Sequence, residues 1–244
     1  MPSSLPREAR VLSALVETDE EFRASELLAA QARAVELFEA IGEEGILRPG
    51  VTDSEASSAV TDLAARCFGV EQHWHKRIVR SGPNTLHPYS VDPPDRVMVD
   101  DDIVFADFGP VFTGWEADFG RTWVLGADPA KHRLRDDLQP VFAEGKRYFE
   151  SEQDVTAADL YACVVQMATE RGWKFDNMHC GHVVGEFLHQ NLPGGRLDSL
   201  LCAENPRRLR DLDTSGRVVH WILEIHLVDR RREIGGFFEE LLTL

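Results

Sequence analysis

The 244-residue chain carries 26 basic against 42 acidic residues, a net charge of −16, and 43% of its residues are hydrophobic. That composition supplies a substantial core, while the acidic balance excludes nucleic acid or an anionic membrane surface as the main partner, because phosphate binding needs clustered Lys and Arg. No segment has the apolar run of a signal peptide or membrane span, and the four cysteines lack CxxC spacing, so a cytoplasmic protein with reduced thiols is expected.

In chain order, residues 1–19 read as an N-terminal arm and 20–244 as a single domain. Apolar residues at helical spacing (Leu27, Leu28, Ala32, Val35, Leu37, Phe38, Ile41) predict a helix over 20–47, stopped by "RPG". "VTDSEASSAVTDLAARCFG" predicts a second, with Thr52 or Asp53 as its N-cap. "HWHKRIVRSG" reads as a strand entering a Gly/Pro/Asn loop. A hairpin over 101–126 follows, then helices near 129–150 and 156–171. Strand character returns in "NMHCGHVVGEF", "RVVHWILEIHLVD" and "IGGFFEELLTL", and the stretch from Gln190 to Gly216 reads as a surface loop with a short helix. The expected class is α+β, an antiparallel sheet with helices packed on one side. Trp74, Trp115, Trp173 and Trp221 are expected in the core.

Chemistry enters with the hairpin "DDIVFADFGPVFTGWEADFGRTWVLG". If its centre lies between Phe112 and Thr113, Asp107 faces Asp118 across the ladder, two like charges among Ile103, Val104, Phe105, Phe108 and Phe119. Such a pair repels and costs desolvation energy unless a cation lies between. A second hairpin, turning at Arg231 and Arg232, sets Glu224 opposite Glu239 in the same way, and "CGHVVG" adds His182. Four carboxylates and an imidazole suit a borderline divalent ion such as Mn, Fe, Co or Zn, and they carry more charge than one ion needs, which predicts two ions. Glu240 competes with Glu239, but a one-residue slip in a strand turns a side chain to the other face, so Glu239 is preferred.

The order Asp, Asp eleven residues on, His in a Gly-His-x-x-Gly setting, Glu, and a last Glu near the C-terminus resembles the pita-bread metallopeptidases: methionine aminopeptidase, Xaa-Pro aminopeptidase, prolidase and creatinase. "DFGRT" is similar to the Asp-x-x-Arg-Thr segment of the Xaa-Pro and creatinase branch. The resemblance covers nearly the whole chain and implies a curved antiparallel sheet with helices on its outer side and pseudo-twofold internal symmetry. It implies that Asp107, Asp118, His182, Glu224 and Glu239 hold two divalent ions, with a bridging water as the nucleophile. It makes Glu224 the general base and later the acid, and His189 a substrate-contacting histidine that stabilises the tetrahedral intermediate. His87 or His75 supplies a further pocket histidine, and His226, two residues after Glu224, shares its strand face; His179 is expected as a loop side chain. The separate N-terminal domain usual in that branch is missing from this chain, which looks like the catalytic domain alone; dimers are common in the family, so a homodimer is expected.

Departures gather on the substrate side: Val183, Gln190, Ile225 and Phe237 replace the Gly, Glu, Pro and Arg common in these peptidases. The expected function is therefore a dinuclear hydrolase of a short peptide or amide. The alternatives are a small-molecule C–N hydrolase or lyase on the same scaffold, resembling creatinase or the dimethylsulfoniopropionate lyase, and a metal-free binding module.

Overall fold

The computed structural model describes residues 7–191 and 196–244, with side chains from residue 19 onward apart from 190 and 191. Helix α1 spans Arg7–Glu43, passing through the expected boundary at 19 without a break; the first six residues of the arm lie outside the described residues. Its buried stripe is Leu27, Ala30, Ala34, Leu37, Phe38 and Ile41, whereas Leu28 and Ala32 face water. The 3.6-residue period keeps those two out of the stripe once Leu37 and Ile41 define it.

Helix α2 (Asp53–Phe68) starts with a capping box in which Thr52 and Glu55 satisfy each other's backbone N–H groups. Asp53 is thereby freed for another task. Its buried carboxylate accepts from Ser81 Oγ at 2.6 Å and Asn84 Nδ2 at 3.0 Å, tying α2 to the end of β1 (Ile78–Ser81). Burial raises the Asp53 carboxyl, against the lowering effect of those donors.

The remaining strands are β2 (Ile103–Phe108), β3 (Val111–Phe112), β4 (Trp115–Glu116), β5 (Phe119–Val124), β6 (Lys174–Phe175), β7 (His179–Val184), β8 (Leu200–Cys202), β9 (His220–Asp229) and β10 (Ile234–Leu241). Helices α3 (Pro129–Ser151) and α4 (Ala157–Glu170) match expectation, and α5 (Leu188–Asn191) is a short turn. The order in the main sheet is β1-β2-β5-β10-β9-β7-β8, with β6 on β9 and β3-β4 apart. All pairings are antiparallel. Strands β6 and β8 were not expected; β8 and a 3-10 turn at Leu197–Ser199 lie inside the stretch read as surface loop.

Alternation sorts the strands into two faces. Val104, Ala106, Phe108 and Phe119 pack under α1 and α2, while Leu223, Ile225, Leu227 and Phe238 pack under α3 and α4. Each half is a helix pair behind a hairpin, and the halves join where Glu239 of β10 pairs with Gly120 of β5. Arg121 sits at that seam, its guanidinium 3.8 Å from the Phe119 ring and 4.0 Å from the Phe238 ring, and ion-pairs with Glu240. The opposite face presents Phe105, Asp107, Glu224, His226, Phe237 and Glu239 to one pocket. Among the described residues no helix is long and apolar enough to cross a membrane.

Candidate metal centre

The C-terminal hairpin has the expected register, with Glu239 opposite Glu224. Both carboxylates are buried, and Glu240 on the other face is taken by Arg121. In the N-terminal hairpin the register differs. Asp107 pairs with Gly120, and the turn is Thr113-Gly114, between Phe112 and Trp115. Both turn residues have positive φ (53° and 96°), as a two-residue hairpin turn with the right twist requires, so the centre moves on by one residue. Asp118 then belongs to no strand. It lies in the gap where the ladder lapses between Phe108 and Val111 on one side and Glu116 and Phe119 on the other.

Residues 72–75 fill that gap. Val111 N donates to Gln72 O at 3.1 Å, Trp74 N donates to Gly109 O at 2.9 Å, and Trp74 Nε1 donates to Ala117 O at 2.9 Å. The segment is a bend rather than the predicted strand, which begins only at Ile78. Consequently His73 and His75 part company. His73 packs edge-on against Phe108, with burial and the nearby Arg77 lowering its pKa to about 4. His75 enters the pocket, Nε2 3.1 Å from Asp118 Oδ1 and 3.5 Å from Asp107 Oδ1. A Cβ at residue 109 would overlap the His75 and Trp74 rings, so glycine is needed there for close approach.

From β7, His182 Nε2 lies 2.9 Å from Asp118 Oδ2 and 4.0 Å from Glu224 Oε1. His179 belongs to the same strand rather than to a loop; its Nδ1 is 3.1 Å from Glu224 Oε1 but off the line a hydrogen bond requires. Asn177 Nδ2 donates to Glu224 Oε2 at 3.2 Å. Two groups of side chains could each enclose an ion, His75 with Asp107 and Asp118, and Asp118 with His182 and Glu239. Asp118 belongs to both.

Electrostatics describe a site crowded with like charge. Burial raises Asp107 to about 7 despite His75, and burial together with Asp118, Asp107 and Glu224 holds Glu239 well above the usual carboxylate range. Burial would also raise Asp118, but His75 and His182 hold it low. Both imidazoles reach about 9, burial being outweighed by the carboxylates they face. Glu239 Oε2 is buried with no hydrogen-bond partner. A buried carboxylate oxygen that lacks a donor, in a cluster of carboxylates interleaved with imidazole nitrogens, fits divalent cations well and fits a metal-free core badly.

The remaining site candidates form the walls. His189 on α5 is bound to buried Glu116, whose Oε1 accepts from the His189 backbone N at 2.9 Å and whose Oε2 lies 2.8 Å from Nδ1. Its ring stacks on Trp74, centroids 3.8 Å apart, and meets His182 edge-on at 5.2 Å. Trp74 is thus a pocket residue, whereas Trp115, Trp173 and Trp221 are core. His226 donates from Nε2 to Thr85 O at 2.9 Å, and burial keeps it neutral by lowering its pKa. His87 lines the mouth, where buried Arg80 donates to the carbonyls of His87, Pro88 and Val91. Phe237 packs with Ile78 and Phe105 as an apolar wall, and Val183 and Ile225 are buried in the core behind the sheet; the Gln190 side chain lies outside the described residues. Glu116, Arg80 and Asn177 were not anticipated. Only Glu116 had a sequence signal, as an acid in an otherwise apolar strand.

The sequence profile of metallopeptidase family M24 matches residues 25–234. The chain belongs to that family. A search of curated protein sequences gives no match. Among solved structures, this M24 chain is similar to prolidase from Thermococcus sibiricus (18% identity, TM-score 0.66, 98% of this chain and 65% of that one). It is also similar to X-Pro aminopeptidase from Thermotoga maritima (20%, 0.69, 92% and 61%) and to Xaa-Pro dipeptidase from Bacillus anthracis (22%, 0.64, 91% and 59%). At these identities the likeness shows the fold, the pita-bread arrangement of helices outside a curved antiparallel sheet. The chain spans less than two thirds of the length of these structures.

Proposed function

We propose that the protein is a dinuclear metal-dependent hydrolase acting on a short peptide or amide. The observation that carries this reading is Asp118, whose two oxygens face separate side-chain groups, each able to enclose an ion. Asp107, Asp118, His182, Glu224 and Glu239 are the proposed ligands. When bound, two divalent ions supply an acidified water and Lewis-acid polarisation of a carbonyl.

The chain's own groups do the rest. Glu224 is placed to take and return a proton: Asn177 fixes Oε2, leaving Oε1 toward the pocket centre. His189 is anchored through Nδ1 to Glu116 and turns Nε2 to the pocket, where a proton on it would face an oxygen gaining negative charge. Trp74 stacking and the Glu116 bond hold that ring still, so little reorganisation is needed. His226 and the Ile78–Phe105–Phe237 wall exclude water and favour an apolar substrate group.

One observation favours a second reading, a small-molecule C–N hydrolase or lyase. Arg80, the one Arg or Lys among the pocket-lining residues described, is occupied by three backbone carbonyls, and Phe237 adds apolar surface, so no free guanidinium or ammonium is offered to a peptide's terminal carboxylate. The deciding experiment is elemental analysis of purified protein and Asp118→Ala, followed by turnover of Xaa-Pro dipeptides with Mn, Fe, Co or Zn. About two ions per chain, lost in the variant, with dipeptide cleavage supports the first reading. Two ions with no cleavage of any dipeptide moves the assignment to the second, and no metal under any loading condition overturns both.

A further inference from the structure

The imidazole of His75 lies deeper in the site than a substrate-contacting residue would. It is mounted in the same way as His182. His75 Nδ1 bonds the carbonyl of the next residue, Lys76, at 2.6 Å, and His182 Nδ1 bonds the carbonyl of its own next residue, Val183, at 2.8 Å. That bond anchors each ring at Nδ1 and leaves Nε2 as the nitrogen turned to the carboxylates, the one whose lone pair a metal would take. The two Nε2 atoms approach the two oxygens of Asp118, His75 toward Oδ1 at 3.1 Å and His182 toward Oδ2 at 2.9 Å. An imidazole held by a carbonyl at one nitrogen and aimed at carboxylates with the other is how a protein presents a metal-ligating histidine.

The surroundings are shaped to admit it. The ladder lapses opposite Asp118, residues 72–75 enter the gap, and Gly109 leaves the space the His75 ring occupies. Without His75, the Asp107 side of the site offers carboxylate oxygen alone.

We propose that His75 is a sixth protein ligand of this centre, giving the Asp107 side the nitrogen donor that His182 gives the Glu239 side. The inference rests on the dinuclear reading above and extends it. Each ion position then has one imidazole, and four carboxylates balance the charge of two divalent ions. Nitrogen at both positions shifts preference toward the later first-row ions, Co or Zn, over Mn.

The test is Co2+ titration of metal-free protein followed by visible absorption, with paramagnetic proton NMR of the loaded wild type. A cobalt-bound imidazole with a protonated Nδ1 gives a strongly shifted N–H resonance that vanishes in D2O. The expected result is such a resonance from His75 as well as from His182, the former lost in His75→Gln while the latter persists. His75→Gln should also weaken one of two Co2+ equivalents by about 10–100-fold, and His182→Gln should weaken the other. If the wild type takes up two equivalents and His75→Gln changes neither affinity nor the shifted resonances, His75 is not a ligand and the dinuclear reading stands without it. A wild type that takes up no Co2+ overturns both together. Because the NMR readout is made first on the unaltered protein, a variant that fails to fold leaves the resonance count to decide.

Discussion

The C-terminal hairpin runs as an unbroken ladder from Ile234 opposite Asp229 to Leu241 opposite Ile222, and its two carboxylates face each other because the register says so. The N-terminal hairpin reaches a comparable result by interruption. Its ladder lapses after Phe108, Asp118 leaves the strand, and a distant segment carrying Trp74 and His75 closes the gap. A continuous ladder can place one acid opposite another but leaves no room between them. The interrupted one frees a carboxylate to turn both oxygens outward and opens a slot for an imidazole.

The comparison can be broken at several points. The largest effect is expected from Asp118→Ala, because that side chain belongs to both ligand groups: metal content should fall from about two ions per chain to near zero by elemental analysis. Glu239→Gln should spare more of the Asp107-side ion, which sharpens the contrast between the hairpins. Next comes Gly109→Ala. Its Cβ overlaps the His75 and Trp74 rings, so it should cost about 1–3 kcal/mol in urea unfolding and weaken one metal equivalent while the other is kept. Glu240→Gln should cost about 1 kcal/mol, since Arg121 keeps its carbonyl contacts and its place between Phe119 and Phe238; metal content should not change.

The smallest effect concerns the turn of the C-terminal hairpin, where Asp176 pairs with Arg230 and with Lys174 of β6. Burial by itself raises the Asp176 carboxyl, but these two cations hold it below the ordinary range. A depressed folded-state pKa gives stability that is present above about pH 4 and is lost as pH falls through the lowered value. Asp176→Asn should therefore lower the melting temperature slightly at pH 7 and flatten its decline below pH 4, an effect under about 1 kcal/mol.

The helices and the C-terminal site were legible because single signals governed them. Thr52 and Glu55 announce a capping box, and alternation from Trp221 to Asp229 leads into a charged turn that has only one sensible centre. The N-terminal half was harder to read. Thr113 and Gly114 form a turn that usually advertises itself with Asn-Gly, so the sequence points to a centre one residue early and to a ladder that Asp118 does not join. The alternation of "HWHKRIV" predicts a strand through His75, and only the resemblance makes it a candidate pocket histidine; its position depends on the space left at Gly109, a contact across more than thirty residues that no local pattern encodes. Glu116 and Asn177 are visible only through the groups they hold, His189 and Glu224. In α1, Leu28 and Ala32 keep helical spacing yet face water, because composition does not say which of two adjacent stripes faces inward.

Trp74 has a consequence beyond packing. Its indole centroid lies 4.5 Å from the His75 ring, 5.2 Å from that of His182 and 3.8 Å from that of His189. Of the tryptophans, it alone lines the pocket, and Trp221 is sealed in the core on the far side of the sheet. Binding of an open-shell ion among those imidazoles should quench this indole and leave the others emitting. A metal titration would then carry its own fluorescent gauge of occupancy, readable without any label.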